Sequence, residues 1–81
     1  MEVTKMIEHG TLKINNTTFE YLIKAYDEPS EEFGLDGGKI SKLTIKRGNK
    51  FVYNYDREPD IEPVDDATVE ALNTLIRKYN W

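Results

Sequence analysis

Cysteine is absent from this sequence, which removes disulfide staples, thiolate zinc sites and cysteine nucleophiles together and fits a reducing compartment, the cytoplasm. Histidine occurs once, as His9, and no spacing sets it beside a hydroxyl nucleophile and an orienting acid. It reads as a surface or strand-edge residue. No long hydrophobic run exists either: residues 1–9 hold no apolar stretch of signal-peptide type, and no window approaches a membrane span. Neither secretion nor membrane anchoring is expected. The overlapping glycosylation sequons of Asn15-Asn16-Thr17-Thr18 are therefore read as turn chemistry.

What is present is a chain of 81 residues, 38% hydrophobic and 32% charged, with five Tyr and three Phe. That composition is far from the aromatic-poor profile of disorder, and the length admits a single domain over residues 1–81 with one small core. Net charge is −4, which opposes nonspecific nucleic-acid binding. Its distribution is blocked. Residues 27–36 carry Asp27, Glu28, Glu31, Glu32 and Asp36 without a base, whereas 39–50 carry Lys39, Lys42, Lys46, Arg47 and Lys50 without an acid. The plain reading is exposed faces that attract one another weakly; the sharper one is a basic partner-binding strip.

Leu12 and Ile14, then Phe19, Tyr21, Ile23 and Ala25, alternate with mostly polar residues on either side of Asn15-Asn16. This predicts a hairpin closed by a two-residue type I′ turn, with Ile14 opposite Thr17, Leu12 opposite Phe19 and Gly10 opposite Tyr21. Gly10 leaves room for the Tyr21 ring, and a bulge there would decide whether Met6 or Ile7 joins the core. Asp27-Glu28-Pro29 ends the second strand. The following Phe33-Gly34-Leu35-Asp36-Gly37-Gly38 combines three glycines with two apolar residues, which predicts an ordered connector anchored by Phe33 and Leu35. Ile40 has the wrong parity for the strand of Leu43 and Ile45, so either a bulge lies near Ser41-Lys42 or Ile40 belongs to the loop. In the next strand, a three-residue loop at Gly48-Asn49 would set Ile45 against Phe51 and Leu43 against Tyr53; this is preferred to a two-residue turn setting Ile45 against Val52.

Residues 56–63 read as a proline-punctuated crossing segment. Asp65 then suits a helix N-cap, Val64 and Val69 stand at staple positions, and Val69, Leu72, Leu75, Ile76 and Tyr79 form a stripe that Asn80 can end. The expected fold is α+β: a four-stranded antiparallel sheet of two β-hairpins with one C-terminal helix packed on one face. Its core would be Leu12, Ile14, Phe19, Tyr21, Ile23, Leu43, Ile45, Tyr53, Val69, Leu72, Leu75 and Ile76. The other face, with Leu22, Tyr26 and Val52, would be open or meet a partner. Terminal Trp81 would be disordered or packed on a partner.

Chemical motifs are few. Gly38-Lys39-Ile40-Ser41 has the ending of a phosphate-binding P-loop but lacks its first glycine and the hydroxyl residue directly after the lysine. The carboxylates of residues 56–66 match no EF-hand spacing, and in an extended segment they diverge, so no metal and no cofactor is expected. Arg57 between Asp56 and Glu58 could hold a carboxylate or form a local ion pair.

Residues 33–43 (FGLDGGKISKL), with Asn54-Tyr55-Asp56-Arg57 and Asp60-Ile61-Glu62-Pro63, resemble a small bacterial and phage-associated domain family of unknown function. A glycine-tryptophan pair follows the aspartate-arginine in that family's pattern, where this chain has Glu58-Pro59. The resemblance spans the whole chain. It implies no activity or catalytic residue, and sets the central loop beside Tyr55-Asp56-Arg57. The leading expectation is a non-enzymatic protein-binding or assembly module, a homodimer in its simplest form. The alternative is a small-ligand or phosphoester site at Gly37, Gly38, Lys39, Asp56 and Arg57, and the weaker one nucleic-acid binding through the 39–50 basic strip.

Overall fold

A computed structural model gives the structure of residues 4–32 and 34–80, with backbone alone at residues 4 and 5. The expectations for Phe33 and Trp81 fall outside the described residues. Strands β1 (Thr4–Ile14) and β2 (Thr17–Tyr26) pair in the predicted register, Ile14 to Thr17, Leu12 to Phe19 and Gly10 to Tyr21. A methyl group at Gly10 would lie 2.9 Å from the Tyr21 hydroxyl, so the ring does cross the partner backbone there. The bulge in β1 falls between Thr4 and Met6, not at Gly10. Parity then carries Met6 toward the core and leaves Ile7 64% exposed. The turn itself differs from expectation. Asn15 has φ 54° and Asn16 no positive φ, whereas type I′ needs positive φ at both.

Strand β3 (Ile40–Arg47) lies beside β2, and its first residues explain the parity fault. Lys24 faces Lys42 but Ala25 faces Ile40, so Ser41 is the extra residue of a bulge and Ile40 returns to the core face, fully buried. Strand β4 (Lys50–Asp56) closes through the two-residue turn, not the preferred three-residue loop, yet the pairing beyond it is neither of those expected. Gly48, at φ 63°, makes a tight turn with Arg47 opposite Lys50, and a bulge between Ile45 and Lys46 then sets Ile45 against Tyr53 and Leu43 against Tyr55. Val52 is the displaced residue. It joins the core, contrary to its expected place on the open face, and Phe51 goes outside, 52% exposed.

The sheet has five strands, not four, in the order β1-β2-β3-β4-β5. The additional one, β5 (Pro59–Ile61), pairs antiparallel with β4, Asn54 to Ile61 and Tyr55 to Pro59. Arg57 at φ 66° reverses the chain. Proline lacks the N–H that an inner strand needs, which confines such a segment to a sheet edge.

Helix α1 (Asp66–Tyr79) begins as predicted, with the Asp65 carboxylate accepting the Thr68 amide at 2.8 Å. That bond holds the Asp65 carboxyl below its ordinary range. The staple does not form: Val64 is 86% and Val69 39% exposed. The helix instead turns Thr68, Ala71 and Leu75 inward, with Ala67, Leu72, Ile76 and Tyr79 packed around the core. It crosses β1 to β4 on one face of the sheet. Apart from Val69, every residue of the expected core is in or against the observed one, which also takes in Leu35, Ile40, Val52, Tyr55 and Ala71.

Candidate functional site

With α1 on one face, alternation along the strands fixes what the other face displays. The pairings align its side chains in three rows: Ile7, Lys24, Lys42 and Asp56; His9, Leu22, Thr44, Asn54 and Ile61; Thr11, Glu20, Lys46 and Phe51. The middle row is the least charged and is stitched by Thr44 donating to Asn54 at 2.7 Å and Asn54 donating to Asp60 at 2.9 Å. Leu22, Phe51 and Ile61 line a shallow depression of about 450 Å³ beside it. Lysines stand in both outer rows, and the Lys46 ammonium lies 5.3 Å from the centroid of the Phe51 ring. Among the described residues, five cations (Lys13, Lys24, Lys42, Lys46, Arg57) and three carboxylates (Glu20, Asp56, Asp60) belong to this side of a chain whose net charge is −4.

Among the five residues of the alternative ligand site, Asp56 and Arg57 stand together. They line a polar notch of about 460 Å³ at one corner of the sheet, with Lys24, Ser41 and Lys42. Gly37, Gly38 and Lys39 are not part of its lining. Gly37 donates its amide to the Gly34 carbonyl, Gly38 to Leu35 and Lys39 to Asn80. With Ile40 N–H given to the Asn80 side chain, no amide from 37 to 40 points outward to cradle an anion. Lys39 lines a separate cleft with Tyr26, Lys78 and Tyr79.

Asn80 ends α1 as expected, but the sequence signals missed what its side chain does. It is fully buried, accepts the Ile40 amide at 2.9 Å through Oδ1 and donates to the Leu35 carbonyl at 2.8 Å through Nδ2. Its own carbonyl accepts from Lys39. The end of α1 is thereby fastened to the glycine connector, and the connector's tight backbone is structural. An Asn just past a helix stripe reads locally as a cap, and nothing in its neighbours reveals a partner some 40 residues away.

The connector also approaches β4 from the core side. Burial, then the nearby Asp36 carboxylate, push the Tyr53 hydroxyl from 10.0 up to about 12, and the same two causes raise Tyr55. Because the folded value lies above the unfolded one, the stability linked to the neutral Tyr53 phenol is complete below pH 10 and lost as pH rises through about 12. Urea midpoints should therefore fall across that interval, and Tyr53→Phe should flatten the fall; identical slopes in the two proteins would remove Tyr53 from this account. At the last residue of the helix, Tyr79 shares a 3.4 Å contact with the Tyr21 hydroxyl, which raises its own pKa, followed by burial.

The basic residues of 39–50 do not form one strip. Lys42 and Lys46 share the bare face, Lys39 sits in the helix-end cleft, and Arg47 pairs with Asp65 at 3.8 Å. The carboxylates of 56–66 are also dispersed: Asp56 pairs with Lys42 at 3.4 Å, Asp60 holds Asn54 and Asp65 caps α1. Among the described residues no group of three or more His, Asp or Glu is placed to hold a metal ion. None of their helices is long and apolar enough to cross a membrane.

A small α+β domain with a helix on one face of an antiparallel meander, and the other face bare, is the class of protein that this arrangement defines. The chain belongs to the family described as Domain of unknown function (DUF7678), which matches residues 6–80. No curated protein and no solved structure matches it.

Proposed function

We propose that this protein is a non-enzymatic binding module whose working surface is the bare face of the sheet, and that its partner is a protein segment with apolar and acidic side chains. The observation that supports this is the face itself, where Leu22 and Ile61 of the middle row and Phe51 beside Lys46 form an apolar patch flanked by lysines on an otherwise acidic chain. Exposed apolar surface rimmed by charge favours a protein ligand. The surplus of lysine opposes packing two copies face to face, and Glu20, Asp56 and Asp60 oppose a nucleic-acid backbone. The same reading places the module in the cytoplasm of a bacterial or phage-infected cell, with which the lack of cysteine is compatible.

The test uses a fluorescent amphipathic Glu/Leu helix, its Lys/Leu counterpart and a single-stranded oligonucleotide, with light scattering of the protein alone. The Glu/Leu helix should bind best, and Lys42→Glu with Lys46→Glu should weaken it by about tenfold, roughly 1.4 kcal/mol. Equal binding of the Lys/Leu helix, preference for the oligonucleotide, or a stable dimer built on this face would overturn the reading.

A further inference from the structure

We propose that the outer edge of β1 is a pairing surface for a second copy of this chain, so that two sheets join edge to edge into one antiparallel sheet. It is a place distinct from the bare face, and the proposal stands independently of what that face binds. In the strand order β1-β2-β3-β4-β5 the two ends of the sheet are unlike. β5 has three residues and begins with Pro59, and shortness and proline are ordinary means by which an edge is closed to further pairing. β1 has 11 residues and no proline. Its two-residue turn closes on the hydrogen-bonded pair Ile14 and Thr17, and bonded and non-bonded pairs then alternate down the hairpin. Leu12, Gly10 and Glu8 thus direct their amides and carbonyls to β2. Those of Ile7, His9, Thr11 and Lys13 point outward, and among the described residues no strand or loop backbone receives them. Such a row of backbone donors and acceptors is a template for one more strand.

Symmetry and charge select a second copy as the occupant. Two β1 strands related by a twofold axis perpendicular to the sheet run antiparallel, and the register centred on Gly10 sets Ile7 against the partner's Lys13 and His9 against the partner's Thr11. In that register alone all four outward residues of one copy meet all four of the other, each pair exchanging both of its hydrogen bonds. No like charges stand opposite one another. A centre at His9 would carry Lys13 to the bulged end of the strand, and a centre at Thr11 would set Lys13 against the partner's His9 and Ile7 against the turn. Gly10 meets the partner's Gly10 on the axis, at a non-bonded pair, where strands come closest. On the helix side Met6 meets the partner's Ile14. Both helices then lie on one side of the joined sheet and both bare faces on the other. Pairing occupies the open edge of each copy and leaves β5 at both ends, so assembly stops at two.

Light scattering across a concentration series should show the mass of one chain giving way to that of two. Over the same range hydrogen exchange should slow at the amides of Ile7, His9, Thr11 and Lys13, while those of Gly10 and Leu12 are slow throughout. The absence of cysteine makes cross-linking specific. Under mild oxidation an equal mixture of the His9→Cys and Thr11→Cys proteins should form a disulfide dimer, because a hydrogen-bonded pair has its Cα atoms about 5.5 Å apart, within disulfide reach. Neither protein alone should do so. Ile7 is 64% exposed, so its replacement leaves the fold intact. Ile7→Lys, which faces the partner's Lys13 on both sides of the axis, should weaken self-association by about fivefold, and Ile7→Glu should strengthen it by about as much. A mass that stays at one chain up to about 1 mM, a dimer whose four outward amides still exchange freely, or a cross-link formed by either cysteine protein alone in preference to the mixture would overturn the proposal, whatever the sheet face binds.

Discussion

Asn80→Ala should destabilise the protein by about 3 kcal/mol, because it strands two buried backbone groups at once. Removing one partner of a buried hydrogen bond costs about 1–3 kcal/mol for the group left unsatisfied. Here the Ile40 amide and the Leu35 carbonyl would both lose theirs, and the site is inaccessible to water at 0% exposure. In a domain of this size the total to be lost is itself near the low end of about 5–15 kcal/mol. The urea midpoint should fall at unchanged slope, and hydrogen exchange at Ile40 should rise by more than at Ile23 in the middle of the sheet. A loss under about 1 kcal/mol would mean that the latch is redundant. Asn80→Asp sharpens the test. Its carboxylate can accept from Ile40 but cannot donate to Leu35 unless protonated, and burial raises its pKa above the ordinary carboxylate value. Its stability should therefore be greatest in acid and be lost as pH rises through that raised value, opposite in sign to Asp65, whose lowered pKa makes its contribution disappear as pH falls.

Gly34→Ala should cost about 2–3 kcal/mol for a different reason, steric collision with backbone that cannot move aside. A methyl group on Gly34 would run into the carbonyl of Gly38 and stand 2.7 Å from that of Ser30. Both carbonyls are held, since Gly38 accepts from the Ser30 amide at 2.9 Å and Ser30 from the Gly34 amide at 2.9 Å. The φ of Gly34 is −82°, so an alanine would suffer no torsional strain there. Contact alone is at issue. Gly48→Ala supplies the control, with positive φ and nothing within 4 Å of the added methyl group; it should cost only about 1 kcal/mol. If Gly34→Ala is no worse than Gly48→Ala by denaturation, the connector is softer than its hydrogen bonds imply.

Local pattern was enough for the first hairpin, because alternation and a two-residue Asn turn leave one register that puts Leu12, Phe19 and Tyr21 together. It was enough for the start of α1, where Asp65 precedes an apolar stripe, and for the irregularity at Ser41, which the parity of Ile40 betrays. It failed at β4. Phe51, Val52 and Tyr53 are all apolar, so alternation cannot say which is displaced by a bulge, and the decision falls to the packed core, which Val52 joins. It failed at β5 too, since three residues beginning with proline carry no period of their own and become a strand only because Asn54 and Tyr55 offer an edge.

The candidate site divides along the same line. Asp56 and Arg57 were legible as a pair worth attention, and so was an open sheet face, because one helix cannot cover both sides. Their companions Lys24 and Lys42 come from strands joined by a long connector, and only the β2–β3 register brings them to the same corner. Gly37 and Gly38 look like a site in sequence because glycine permits close approach, yet what approaches Gly38 is the buried side chain of Asn80. By itself, then, the sequence determined the elements whose residues are neighbours in the chain: the alternating strands, the capped helix and the need for a glycine connector. The tertiary structure alone decided the edge strand, the displaced Val52, the Asn80 latch and the polar notch. Each of those depends on contacts between distant segments, whose free energy is realised only when the sheet and helix have closed around them.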